Sequence, residues 1–120
     1  MAIEFSIEDR RIGDQTHVVS VRGEIDLFVA PDFKQHVSAP IDAGVAHVVV
    51  DLRATTFIDS SSLGVLIGAH RRLKLRGGSL TIVCDNEAIT KTFRITGLDG
   101  VFNLVPKLDD AVDGDAVGAG

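Results

Sequence analysis

The chain has 120 residues, 45% of them hydrophobic, a net charge of −5 and a single cysteine, which is the profile of one domain with one core. That composition excludes a disordered chain, an internal disulfide framework and the basic face expected of a direct nucleic-acid binder. No apolar run approaches the ~20 residues of a membrane span, Met1–Phe5 lacks the regions of a signal peptide, and a lone Cys84 suits a reducing compartment, so a cytoplasmic protein is expected.

Ile3, Phe5 and Ile7 alternate with Glu4, Ser6 and Glu8, a period-two strand with one wet face. The stretch from Asp9 to Gln15, with Gly13-Asp14 inside it, reads as a turn. Val18–Val21 is the second strand, predicted to close a hairpin with the first; Gly23 ends it, and Glu24–Leu27 forms an exposed connection. Pro31 suits a first helical turn, and Phe33, Val37 and Ile41 follow as a helical stripe. Pro40 is an early stop for that helix and Gly44 the latest one. His47–Leu52 is the most apolar strand, read as central and covered on both faces, with Ala54-Thr55-Thr56 as the turn after it.

Leu63, Leu66, Ile67, His70 and Leu73 then mark one face of a long helix that Gly77-Gly78 ends. Leu80–Val83 is a fourth strand. Asn86 is the expected cap of a helix holding Ala88, Ile89, Thr92, Phe93 and Ile95, with Gly97 as its stop. Val101–Val105 is a short last strand, Leu108–Val112 a final helical turn or two, and residues 113–120 are expected to form a disordered tail. The sum is an α/β domain over residues 1–112, a mixed sheet of four or five strands with about four helices.

The chemistry concentrates at one strand-to-helix junction, Asp59-Ser60-Ser61-Ser62. A helix N-terminus presents free N–H groups and a partial positive charge, which favours Asp or Ser as a cap and accommodates a phosphate. Asp59 or Ser60 as the N-cap explains one of these residues; it does not explain four small polar residues in a row. Elsewhere the signals are structural. The four histidines, 17, 36, 47 and 70, share no metal-ligand spacing, so no metal site is expected. Arg71-Arg72-Lys74-Arg76 lies at a helix C-terminus, where cations are favoured anyway. Cys84 has no activating neighbour and reads as a buried, inert thiol. A serine nucleophile needs an adjacent base and an orienting third group, and the sequence indicates neither, so no catalytic residue and no cofactor are assigned.

Three segments in register carry a family resemblance. Phe57-Ile58-Asp59-Ser60-Ser61-Ser62-Leu63-Gly64 resembles the signature of the anti-sigma factor antagonists, the stand-alone STAS domains. Gly23-Glu24-Ile25-Asp26 resembles their Gly-Glu-Leu-Asp, and Phe93–Asp99 with Phe102 their late Phe-x-x-x-Gly-Leu segment. The resemblance covers roughly residues 3 to 112, with Ser62 standing where the family has Gly. It implies the STAS fold and a cytoplasmic partner switch. An antagonist of this kind binds an anti-sigma factor that is also a serine kinase, frees a sigma factor, and lets go when phosphorylated; a serine phosphatase resets it. By motif register the phosphoacceptor is Ser61, with Ser60 and Ser62 as alternatives. The partner-binding set is Gly23, Glu24, Ile25, Asp26, Asp59, Ser60, Ser61, Ser62 and Leu63. A second reading is an accessory or scaffold STAS protein of a stress-sensing or transport assembly.

Overall fold

The computed structural model describes residues 4–112, so the reading of Ile3 as a strand residue and of 113–120 as a tail lies outside the described residues. Five strands form one sheet in the order β1 (Ser6–Ile12), β2 (Thr16–Ile25), β3 (His47–Ile58), β4 (Ser79–Val83) and β5 (Asn103–Val105). β1 and β2 pair antiparallel, as the hairpin reading expects; the other neighbours are parallel. Between them run α1 (Ala30–Asp42), α2 (Ser60–Leu75) and α3 (Glu87–Ile95), a one-turn 3-10 segment over Leu98–Gly100 and a last helical turn over 108–112. The patterning predicts a mixed α/β sheet of four or five strands with about four helices, and the described residues form a mixed sheet of five.

β3 is the centre of the sheet because it is apolar on both sides. Val48, Val50 and Leu52 join Val19, Val21, Leu80 and Ile82 under the three helices, which supply Phe33, Val37, Ile41, Leu66, Leu73, Ile89 and Phe93. Val49 points the other way, to Val18 and Val83, where Leu108, Ala111 and Val112 cover it. Each fully buried Val, Leu, Ile or Phe contributes on the order of 1.5–3 kcal/mol.

Four local expectations are corrected. β1 begins at Ser6 and runs on through Asp9–Ile12, so the turn shrinks to residues 13–15; cross-strand pairing from Ser6↔Arg22 to Ile12↔Thr16 overrides the charged composition. β2 does not stop at Gly23. It continues to Ile25, with Gly23 at φ 86° absorbing a shift in register against β3. β3 likewise does not turn at Ala54-Thr55-Thr56. Parallel pairing resumes at Arg22↔Ala54 and ends at Ile25↔Ile58, and the buried Thr55 hydroxyl donates to the Val21 carbonyl at 3.0 Å. α1 passes through Pro40 to Asp42, since Pro40 sits in the last turn, is itself buried, and still accepts a hydrogen bond from the Val45 amide.

The structural readings of the cations and of Cys84 fit what is seen. Arg72 pairs with Asp42 at the end of α1, and Arg76 donates to the Val45 carbonyl at 3.0 Å. Cys84 is buried, with its sulfur 3.3 Å from the Thr90 hydroxyl. Thiol labelling of the native protein should therefore be slow and should accelerate sharply in denaturant; rapid stoichiometric labelling without denaturant would contradict the buried placement. Asp9 of β1 bridges His17 of β2, at 2.7 Å, and His36 of α1, at 2.6 Å. Among the described residues no group of three His, Cys, Asp or Glu is arranged to hold a metal ion. Nor is any helix there long and apolar enough to cross a membrane.

Candidate phosphoacceptor site at the N-terminus of helix α2

Asp59 resolves the capping question. Its backbone is extended, at φ −105° and ψ −179°, and its side chain accepts from the Ser62 amide at 3.1 Å, the standard N-cap to N3 bond. The Asp59 carbonyl opens the helix by accepting from the Leu63 amide at 3.0 Å. The same carboxylate oxygen, Oδ1, accepts from the Ser61 hydroxyl at 2.8 Å, and the Ser62 hydroxyl lies within reach of it at 3.1 Å.

The three serines differ sharply in environment. Ser60 is exposed, and its hydroxyl has no partner among the described residues. Ser61 is half-buried, with its hydroxyl held against Asp59. Ser62 is fully buried, at 0% exposure, and reaches the Ile25 carbonyl at 3.0 Å. Ser60 and Ser61 can be reached from solvent; Ser62 would have to leave the interior first.

The second predicted segment meets the first across the end of β2. The Asp59 amide donates to the Ile25 carbonyl at 3.3 Å, and this bond, with that of Ser62, joins Gly23–Asp26 to the α2 cap. Within it Glu24 is exposed and Asp26 half-buried, while Gly23 and Ile25 are buried. Leu63 is likewise buried in the core. The side chains of Ile25 and Leu63 therefore hold the backbone in place and are not themselves presented at the surface. Asp26 also has a local task. Its Oδ1 accepts from the Phe28 amide at 3.0 Å and the Val29 amide at 3.3 Å, and its carbonyl accepts from Val29 and Ala30, which shapes the approach to α1.

That turn carries residues the motif reading missed. Phe28 is 90% exposed and Leu27 68%, while Phe57, paired in register with Glu24, is 46% exposed. An adjacent Leu and Phe in a connecting turn was the available signal. Gly64 and Gly68, four apart on α2, are both exposed, and an added Cβ would meet nothing within 4 Å at either. Neither permits a close approach within the domain.

Charge at the site is set by the cap. Burial pushes the Asp59 carboxyl up, but the hydrogen bonds it receives, from the Ser61 hydroxyl first and then from the Ser62 amide, outweigh it, so the group titrates below the ordinary aspartate range. A depressed folded-state value stabilises the fold above the unfolded value, about 3.9. That contribution is lost as pH falls through the lower, folded value. Wild type should therefore melt above Asp59→Asn at neutral pH, with the gap closing in acid; a gap that stays constant with pH would contradict this account of the cap.

The fold and this cap define a small α/β domain with a cluster of polar residues at the start of one helix. The STAS domain family model matches residues 8–111, and the chain belongs to that family. The anti-sigma-B factor antagonist of Bacillus subtilis is 31% identical, over 78% of this chain and 85% of its own. A crystal structure of an anti-sigma factor antagonist from Mycobacterium paratuberculosis superposes with a TM-score of 0.84 at 32% identity, over 92% of this chain and 93% of the other. The Bacillus cell fate determinant SpoIIAA in its phosphorylated form shares the fold, at TM-score 0.72, 21% identity, and 90% and 97% coverage.

Proposed function

We propose that this chain is an anti-sigma factor antagonist that acts as a binding protein, switched by phosphorylation of Ser61. The observation that carries the reading is the α2 cap. Ser61 offers a solvent-reachable hydroxyl at a helix N-terminus, oriented by Asp59 at 2.8 Å and flanked by the Gly23–Asp26 segment. A phosphate there would sit at the positive end of the helix dipole. The Bacillus subtilis and Mycobacterium paratuberculosis relatives, both named as anti-sigma factor antagonists, support the choice of partner.

In the unphosphorylated state the protein binds an anti-sigma factor with serine-kinase activity, and a sigma factor is freed. Transfer of a phosphoryl group to Ser61 ends the complex, and a serine phosphatase restores it. The contact surface comprises Glu24, Asp26, Ser60 and Ser61, with Asp59, Ser62 and the buried Gly23, Ile25 and Leu63 fixing their positions. Leu27 and Phe28 extend it as apolar anchors, a role that Trp or Tyr often fills and that this chain, lacking both, leaves to Phe.

Titration of the protein against a candidate anti-sigma factor kinase tests the reading. Saturable binding that Phe28→Ala weakens by roughly tenfold, with the melting temperature unchanged, is the expected result. Capture of other STAS proteins or transport subunits, with no affinity for an ATPase-fold kinase, would favour a scaffold role instead.

A further inference from the structure

The Ser62 hydroxyl has one proton and two acceptors, the Ile25 carbonyl at 3.0 Å and Asp59 Oδ1 at 3.1 Å. It is also fully buried, so water does not supply a third choice. A carboxylate oxygen has about two lone-pair sites. In the unmodified protein the Ser61 hydroxyl, at 2.8 Å, and the Ser62 amide, at 3.1 Å, fill those of Oδ1. The Ser62 proton is then left to Ile25.

From this geometry we propose that Ser62 is a positioning residue that relays the phosphorylation state of Ser61 to the Gly23–Asp26 segment. The inference rests on Ser61 being the modified residue. A nucleoside triphosphate donates its terminal phosphoryl group: a bond forms between Ser61 Oγ and phosphorus, the bond from phosphorus to the leaving diphosphate breaks, and the hydroxyl proton leaves with a base or to water. Ser61 Oγ can then no longer donate to Asp59, and the carboxylate faces a phosphate instead. The vacated site on Oδ1 takes the Ser62 proton. Ile25 keeps only the Asp59 amide, at 3.3 Å. The end of β2 and the Asp26 turn after it loosen, so both halves of the surface respond to one modification.

Gly or Ala at this position carries no proton to move. The test therefore compares wild type with Ser62→Ala, each made with Ser61 or with phosphoserine incorporated at position 61 during translation. No kinase is needed, so the relay and the partner reading fail separately. The readouts are the Ile25 carbonyl 13C shift and hydrogen exchange at the Val29 and Ala30 amides, both of which bond to Asp26. Phosphoserine should shift the wild-type Ile25 carbonyl and speed exchange roughly fivefold, the equivalent of one hydrogen bond. In Ser62→Ala the Ile25 carbonyl should already resemble that of phosphorylated wild type, and phosphoserine should not move it further. Should Ser62→Ala fail to fold, Ser62→Gly carries the same comparison. An unmoved Ile25 carbonyl in wild type, or an equal movement in the variant, overturns the relay. Loss of kinase binding or uptake with the relay intact overturns only the functional reading.

Discussion

Phosphorylation at Ser61 is expected to cost this protein its partner without costing it its fold. Phosphoserine brings about −1.5 to −2 charges at neutral pH. At the start of α2 that charge gains roughly 0.3–1 kcal/mol from the helix dipole. Against this stand the lost hydrogen bond from Ser61 to Asp59 and the repulsion between phosphate and carboxylate, an offset of about 1 kcal/mol. The two nearly cancel, so the melting temperature should move by no more than ~4 °C. At an interface the same charge must be desolvated beside Asp59 and Asp26. A charge left unpaired there costs about 2–5 kcal/mol, or roughly 30- to 4,000-fold in affinity. Circular dichroism, melting and partner titration of Ser61→Ala, Ser61→Asp and the phosphoprotein separate the effects. Ser61→Asp, with less charge and fewer acceptor oxygens, should show a smaller defect than phosphate. A large loss of helix in the phosphoprotein would mean that the switch is conformational.

Gly78→Ala should be among the most destabilising single substitutions in the chain. A Cβ at Gly78 would lie 2.0 Å from the Ala46 carbonyl oxygen, 3.0 Å from its carbon and 3.3 Å from the Leu73 oxygen. All three are backbone atoms and cannot rotate away. The Gly78 amide donates to Leu73 and the Ser79 amide to Ala46, so any retreat disturbs the α2 terminus and the entry to β4 together. A loss of about 3 kcal/mol, or more, is expected, which lowers the melting temperature by roughly 10 °C or more. Gly64→Ala is the control. It lies exposed in α2 with nothing within 4 Å of an added Cβ, and should gain up to ~1 kcal/mol from helix propensity. Equal effects at the two glycines would contradict this placement of Gly78.

What the sequence disclosed about this molecule was local. The α3 cap at Asn86 was legible, and the α2 cap was narrowed to Asp59 or Ser60, because a cap is made by a side chain three residues from its donor. The central position of β3 was legible from its continuous apolar run. The extension of β2 through Gly23 and of β3 through Thr55 was hidden, because each depends on pairing with residues some thirty positions away. So was the Asp9 bridge, whose histidines belong to separate elements and acquire a common partner only when the hairpin folds onto α1. At the site the same limit applies. Motif register selects Ser61, whereas only the folded chain separates an exposed Ser60 from a buried Ser62, and only packing reveals that Phe28 is left uncovered.

The central claim is that Ser61 is the phosphoacceptor of a partner switch. The most direct test is incubation with an anti-sigma factor kinase, magnesium and ATP, read by intact mass and site mapping on wild type and the three single Ser→Ala variants. The account predicts one phosphoryl group, on Ser61, retained in Ser60→Ala and Ser62→Ala and absent in Ser61→Ala, with melts confirming that each variant is folded. Uptake that survives in Ser61→Ala and disappears in Ser60→Ala or Ser62→Ala would contradict it.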